Sequence, residues 1–300
     1  MKKTYIILGI CALLALILVV FVYLGFFGKA KKSATISIKQ GDGTREIAAS
    51  LKKEGLISYP LFFSFYVYQR HWYLQPGVYK IDSVMNPLQI AAMIHDGKVI
   101  EYLVTIPEGW RVTQIDGYLT ERGIIEKGEL TKIASADEGY LFPDTYRLAL
   151  DVKASEIRQL MIENFNKKTA DLKISRETII LASIVEREAK FDEDRPKIAG
   201  VYLNRLDKGM KLEADPTIQY AKGSWEPITA ASYKNVISLY NTYLHDGLPP
   251  GSICNPGIKS IEAVLHPVKD GFLYFFHKTD GHAVYSATQE EHEANLQKYR

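Results

Sequence analysis

Residues 176–219 read RETIILASIVEREAKFDEDRPKIAGVYLNRLDKGMKLEADPTIQ, and this stretch organises the rest of the chain. Apolar residues from Ile179 to Val185 come too thickly for a solvated helix, and no Gly or Pro interrupts them before Pro196, so the run predicts a buried helix. Glu186 shares a stripe with Ile179, Ala182, Ser183 and Ala189; three of these four are small and leave room beside a carboxylate. Glu188 has Ile184 and Val185 on its own stripe, so periodicity does not separate the two glutamates. A second helix is expected after a cap at Asp192 or Asp194, with Pro196 in its first turn. It carries Ile198, Val201, Tyr202 and Arg205 and stops at Gly209. A carboxyl on an apolar helix facing a cleft is expected to hold its proton more tightly than in water, which makes it a usable general acid. An ordinary exposed helix with solvated glutamates is the plain alternative.

Several strings in this chain stand in a recognisable order. EGYLFPDTY at 138–146, ASIVEREA, RPKIAGVYLNRL, GMKLEADPTIQYA, YNTY at 240–243 and GLPPGSICNPG at 247–257 together resemble the endolytic murein transglycosylases, the YceG-like family, over nearly the whole chain. The resemblance implies a lytic transglycosylase, a carbon–oxygen lyase that cuts the MurNAc–GlcNAc bond inside peptidoglycan strands and leaves a 1,6-anhydro end. It puts the family's catalytic glutamate on Glu186. One acid would protonate the leaving oxygen and then, as a carboxylate, take the proton of the sugar's own 6-hydroxyl as that oxygen closes on the anomeric carbon. Asp215, Thr217, Asn241 and Tyr243 are candidates for orienting the sugar. Glu213 stands where family members usually carry Gln, which adds a carboxylate beside the expected site. Tyr140, Phe142 and Tyr146, in and around a Phe142-Pro143-Asp144 turn, are candidate cleft walls for stacking on sugar faces.

Working outward, residues 1–32 carry no charge from Thr4 to Phe27, with lysines at 2, 3, 29, 31 and 32. The run is long enough to cross a bilayer, which takes roughly 20 residues. It is too long for a signal-peptide core and lacks a small-x-small cleavage site. An uncleaved single-pass anchor in the cytoplasmic membrane is expected. A short N-terminal tail inside, with the remainder outside, agrees with the resemblance. Residues 33–103 predict a small α+β unit, whose ISIKQGDGTREIAASL resembles a LysM carbohydrate-binding motif with Gly43 in place of the usual threonine. Residues 104–300 are expected to form a larger α+β catalytic domain. The two parts echo each other: Ile38, Gly41, Ile47, Leu51 and Gly55 recur as Ile106, Gly109, Ile115, Leu119 and Gly123. Both copies read as strand, glycine turn, helix, glycine stop, and two copies are too few for a solenoid.

Further along, residues 153–173 predict an amphipathic helix with Ile157, Leu160, Met161 and Phe165 inward. Asp215-Pro216-Thr217 reads as a rigid turn presenting polar groups. Residues 221–239 read as a surface excursion. The tail predicts helix, buried FLYFF strand, Asp280-Gly281 hairpin, strand and helix.

The net charge of +2 and the charged fraction of 24% give no ground for nucleic-acid binding, and an apolar fraction of 47% supports a real core. Cys11 and Cys254 are too far apart in kind to pair; Cys254 is expected to pack as a small apolar residue. His266, His277, His282 and His292 form no HExxH or His-x-His pattern, so neither a metal nor another cofactor is expected. Two other functions stay open at this point. A muramidase-type hydrolase would use Glu213 or Asp215 as second carboxylate. A non-catalytic glycan-binding membrane scaffold would use neither. Peptidoglycan strands and the membrane are the expected partners; glycan polymerases join them by family analogy.

Overall fold

The computed structural model describes residues 2–299 and is a mixed α and β protein. It divides into two compact units. One comprises Met1–Leu103 with Arg147–Asp151, the other Val104–Tyr146 with Val152–Arg300.

The first unit begins with α1 (Lys2–Phe27), whose Tyr5–Phe27 segment is long and apolar enough to cross a membrane. Then come β1 (Ala34–Ile38), α2 (Thr44–Lys53), α3 (Pro60–Gln69), β2 (Gly77–Ile81) and α4 (Pro87–His95). β1 and β2 pair antiparallel with Ile36 opposite Tyr79. Their alternation puts Ile36, Ile38, Tyr79 and Ile81 on the core side, against Ile47 and Leu51 of α2, Phe63 and Val67 of α3 and Ile90 and Ile94 of α4. Asn86 caps α4 by accepting from the Gln89 N–H, with Pro87 at the first helical position.

β3 (Glu101–Thr105) and β4 (Thr145–Ala149) form a second two-stranded sheet. Between them lie α5 (Val112–Glu121) and α6 (Glu129–Ala134). The internal echo is structural. α2 and α5 are each ten residues long, and Leu51 and Leu119 are fully buried at the same place in each. Gly55 and Gly123 end the two copies at φ of 71° and 66°, a conformation that costs a β-carbon dearly.

The rest of the second unit is α7 (Ala154–Lys168), α8 (Arg176–Glu188), α9 (Arg195–Asp207), α10 (Asp215–Lys222), α11 (Ser232–Asn235), α12 (Ile258–Leu265), the hairpin β5 (Tyr274–His277) and β6 (Ala283–Ser286), and α13 (Gln289–Tyr299). α8 is the central helix. Every residue from Ile179 to Val185 is buried, and α9, α10 and α12 pack around it. Ser175 caps it, accepting from the Thr178 N–H.

Four local expectations change. Asp194 precedes α9 but makes no side-chain cap; its carboxylate instead accepts from Tyr285 Oη and the Ala283 N–H, tying the helix start to the hairpin. Leu160 lies on the exposed side of α7, because the inward stripe runs Ile157, Met161, Phe165 at i, i+4, i+8. Asp215-Pro216-Thr217 is the first turn of α10 rather than a free turn, with Pro where the missing N–H costs nothing. In β5 only Phe276 is buried, since a two-stranded hairpin covers one face.

Candidate active site

α8 ends on two carboxylates, Glu186 and Glu188, that point to different neighbourhoods. A separation of two residues turns a helix by about 200°, so they cannot share a face.

Glu186 sits in a charged lattice. Its Oε2 accepts from the Gly257 N–H (3.0 Å) and from Ser260 Oγ (2.8 Å), and pairs with the Arg195 guanidinium at 3.2 Å. The pair is deeply buried, with 6% of the Glu186 side chain and 10% of the Arg195 side chain exposed. Arg195 also reaches Asp192 Oδ1 at 3.1 Å, and Asp192 bonds Lys259. Oε1 of Glu186 has no hydrogen-bond partner among the described residues. Glu108, from the loop after β3, lies alongside. A Cβ on Gly257 would fall 1.8 Å from Glu108 Oε1, so only glycine at 257 leaves room for that carboxylate. Burial first, then the charge of Glu186, raises the Glu108 pKa above its usual value. Glu186, expected as a carboxyl on an apolar helix facing a cleft, therefore sits in an ion-pair network.

Glu188 faces a cavity of about 430 Å³. Its lining includes Tyr202 and Arg205 of α9, Glu213, Asp215, Tyr243, and Phe275 and His277 of β5. Desolvation raises the Glu188 carboxyl to about 7; the Tyr202 hydroxyl, which donates to its Oε1 at 2.8 Å, opposes this, and the Asp215 charge adds to it. Burial and Glu188 in turn push the Tyr202 phenol well above its ordinary value. The Tyr243 hydroxyl donates to Asp215 Oδ1 at 2.6 Å, and burial with that bond raises its pKa strongly. Arg205 is held by the carbonyls of Leu273 (2.7 Å) and Leu212 (2.9 Å) and pairs with Glu213 at 3.1 Å. Glu213 itself adopts φ of 51°, unusual for a residue with a side chain.

The expected site thus separates. Glu213, Asp215 and Tyr243 gather round Glu188, not Glu186. Thr217 and Asn241 have no exposed surface. Thr217 Oγ1 donates to the Ala214 carbonyl and bonds Thr242, while Asn241 donates to the Tyr233 and Val236 carbonyls and accepts from the Tyr243 N–H. Both shape the backbone that carries Asp215 and Tyr243. Phe142 is buried and Tyr140 half-buried, each packing against Phe165 in the core. Cys254 is fully buried, its thiol donating to the Ser183 carbonyl, and burial pushes its pKa far up.

Sequence reasoning missed Glu108, Arg195 and Ser260, which no spacing pattern marks. It also passed over the role of Glu138 and Asn255, though both lie in quoted motifs. Asn255 Oδ1 accepts from the Gly139 and Leu141 N–H groups, and its amide donates to Glu138 and to the Trp110 carbonyl. Burial raises Glu138 to about 7. These bonds lace the 108–112, 138–141 and 253–257 segments together behind α8.

The cavity thus brings together a carboxyl with a raised pKa, a tyrosine-bridged aspartate and aromatic side chains, groups suited to acid–base chemistry. The chain belongs to the YceG-like family, whose model matches residues 36–298. It is 32% identical over 310 residues to an endolytic murein transglycosylase of Bacillus subtilis (strain 168), covering 90% of this chain and 86% of that one. It is 29% identical over 322 residues to an endolytic murein transglycosylase of Streptococcus pneumoniae serotype 2 (strain D39 / NCTC 7466), covering 89% of this chain and 58% of that protein's length. The crystal structure of a yceG-like protein, lmo1499, of Listeria monocytogenes matches with a TM-score of 0.57 and 32% identity over 88% of this chain and 99% of that one.

Proposed function

We propose that this protein is a peptidoglycan-cleaving lytic transglycosylase and that Glu188 is its general acid. The observation that carries this reading is the company Glu188 keeps: a carboxyl raised to about 7, with Asp215, Tyr243 and Arg205, on one cavity. Family membership and the named relatives support the substrate class.

In this reaction the protonated Glu188 gives its proton to the glycosidic oxygen. The bond from the MurNAc anomeric carbon to that oxygen breaks, and the GlcNAc part leaves as an alcohol. The MurNAc 6-hydroxyl oxygen then bonds to the anomeric carbon, and its proton passes to the Glu188 carboxylate. Proton count and charge close without water, and a 1,6-anhydro end results. Asp215, held by Tyr243, faces the positive charge that develops on the sugar ring. A carboxyl half-protonated near neutral pH suits a group that must be acid and base in turn.

A second reading follows the family motif and makes Glu186 the catalytic group. One feature of Glu186 favours it: three donors hold Oε2 and leave Oε1 free to exchange a proton, with Glu108 beside it. The cellular setting completes the proposal. α1 anchors the chain in the cytoplasmic membrane with the N-terminus inside, the cut ends strand growth beside the glycan polymerases, and β1–α2–α3–β2 serves as a LysM-like glycan-binding unit.

The test is digestion of uncrosslinked strands and sacculi by the full chain in detergent, with the new ends identified by mass spectrometry. Anhydro-MurNAc ends that vanish in Glu188→Gln and persist in Glu186→Gln are expected. The reverse pattern establishes the second reading, and reducing MurNAc ends would replace both with a hydrolase.

A further inference from the structure

α3 carries two apolar stripes and buries only one. Phe63, Ser64 and Val67 face the core of the first unit. Leu61, Phe65 and Tyr68, at i, i+4 and i+7, line another side of the helix and are 78%, 53% and 57% exposed. No charged residue occurs from Leu56 to Gln69. A stripe of this kind marks a surface meant to be covered.

What covers it follows from its attachment to α1. Phe21 packs edge-on against Tyr59 and Phe62, and Phe26 against Phe62. Phe26 also approaches Phe65, with ring centroids 6.5 Å apart. Gly25 lies under the Phe62 ring, where a Cβ would come within 2.4 Å of it. The exit from the helix is tied down too: the Ala30 N–H donates to the Met85 carbonyl and the Lys31 N–H to the Gly55 carbonyl. Only Gly28 and Lys29 separate the last helical residue from these anchors, so the unit is fastened to the end of α1. The 23 apolar residues of Tyr5–Phe27 make about 35 Å of helix, against about 30 Å of hydrocarbon. The turns that hold α3 therefore stand at the outer edge of the hydrocarbon, where aromatic side chains concentrate. Lys29, Lys31, Lys32 and Arg70 flank the patch in sequence and suit anionic headgroups.

We infer that α3 is a lipid-facing element, with Leu61, Phe65 and Tyr68 seated in the interfacial layer of the bilayer that α1 crosses. The inference rests on reading α1 as a membrane span. It makes α3 a second, in-plane contact that sets the tilt of the first unit on the membrane.

Leu16→Cys, Phe65→Cys and Asp42→Cys, each in a Cys11→Ser background of the full chain whose remaining Cys254 is fully buried and shielded from the reagent, would carry a bimane label. The chains are placed in vesicles of phosphatidylcholine with phosphatidylglycerol, containing lipids brominated either near the headgroup or deep in the acyl chain. Asp42 sits at the opposite end of α2 from Gly55 and serves as the aqueous control. Leu16 should lose most emission to the deep bromines and Phe65 to the shallow ones, with Asp42 affected by neither. Quenching at Leu16 without quenching at Phe65 overturns the inference and leaves the span standing. No quenching at Leu16 removes the span itself. Emission from Phe65 that ignores both lipids but changes with protein-to-lipid ratio assigns the patch to a second copy of the chain and also overturns it.

Discussion

Replacing Glu188 by Gln and Glu186 by Gln should move stability in opposite directions, although the two changes are chemically identical and two residues apart. The Glu188 carboxyl titrates at about 7 in the folded chain against an ordinary 4.5, because burial disfavours its charge. A group that binds its proton more tightly when folded stabilises the protonated protein, and that advantage is lost as pH rises through the two values. At about 1.4 kcal/mol per pH unit, the rise corresponds to about 3 kcal/mol of strain at pH 8 and little at pH 5. Gln removes the charge and keeps the acceptor for Tyr202. Solvent entering the cavity screens part of the strain, so the gain at pH 8 should be about 1.5 kcal/mol, or roughly 3–6 °C in Tm for a unit of this size. Glu186 is the contrary case. Its removal leaves the buried Arg195 with Asp192 as its remaining ion-pair partner among the described residues, and breaking a buried pair from one side costs about 3–5 kcal/mol. Scanning calorimetry of both full-length variants in detergent, at pH 5, 6 and 8, reads these shifts directly. If Glu188→Gln fails to raise the transition at pH 8, or raises it equally at pH 5, Glu188 is not the strained proton holder and the case for it as general acid falls with it.

The remaining predictions concern activity and packing. With Glu188 as the acid, turnover should fall about tenfold per pH unit above roughly pH 7.5. Glu138 also titrates at about 7 behind α8, so Glu138→Gln serves as the control: the alkaline limb should stay in place. Glu213→Gln should keep activity within a few-fold. It should also cost under about 1 kcal/mol, since half the Glu213 side chain is in solvent; an inactive variant would instead bring forward the two-carboxylate hydrolase. Gly200→Ala should destabilise by about 1–3 kcal/mol in a denaturant titration. Its Cβ would stand 2.1 Å from the Val268 carbonyl oxygen, which cannot retreat while the Val268 N–H is bonded to Pro196.

Much of the architecture was legible because periodicity and punctuation agreed. The α8 run, the Pro196 helix start, the αL glycines at 55, 123 and 209 and the Asp280-Gly281 hairpin each carry a local physical signal, and each is found where that signal puts it. The exceptions share a cause. Asp194 would cap α9 on local chemistry, but Tyr285 arrives from 91 residues away and takes its carboxylate. Thr217 and Asn241 look like substrate contacts because they are polar residues in ordered motifs. They are buried because the loop bearing Asp215 and Tyr243 needs its own backbone bonds satisfied.

The site itself was only half legible, and the reason lies in α8. A helix buried on every side projects side chains two residues apart into unrelated surroundings, and nothing in the local string says which of them meets a cavity. That is decided by what packs there. Beside Glu186 stand Arg195, Ser260 and the Gly257 N–H, contributed by α9, α12 and the loop before it. Beside Glu188 stand Tyr202 and Arg205, also from α9, with the hairpin behind them. α9 thus supplies Glu186 with a directly paired arginine, and Glu188 with a hydrogen-bonding phenol, while Arg205 beside it is taken up by Glu213 and backbone carbonyls. The arginine forms an ion pair with Glu186, while the phenol gives Glu188 one neutral hydrogen bond and desolvation dominates there. An Arg195→Lys variant separates these roles. A lysine cannot span Glu186 and Asp192 with a planar fork, so stability should drop while the alkaline limb of the pH–rate profile, governed by Glu188 on the other face, stays where it was.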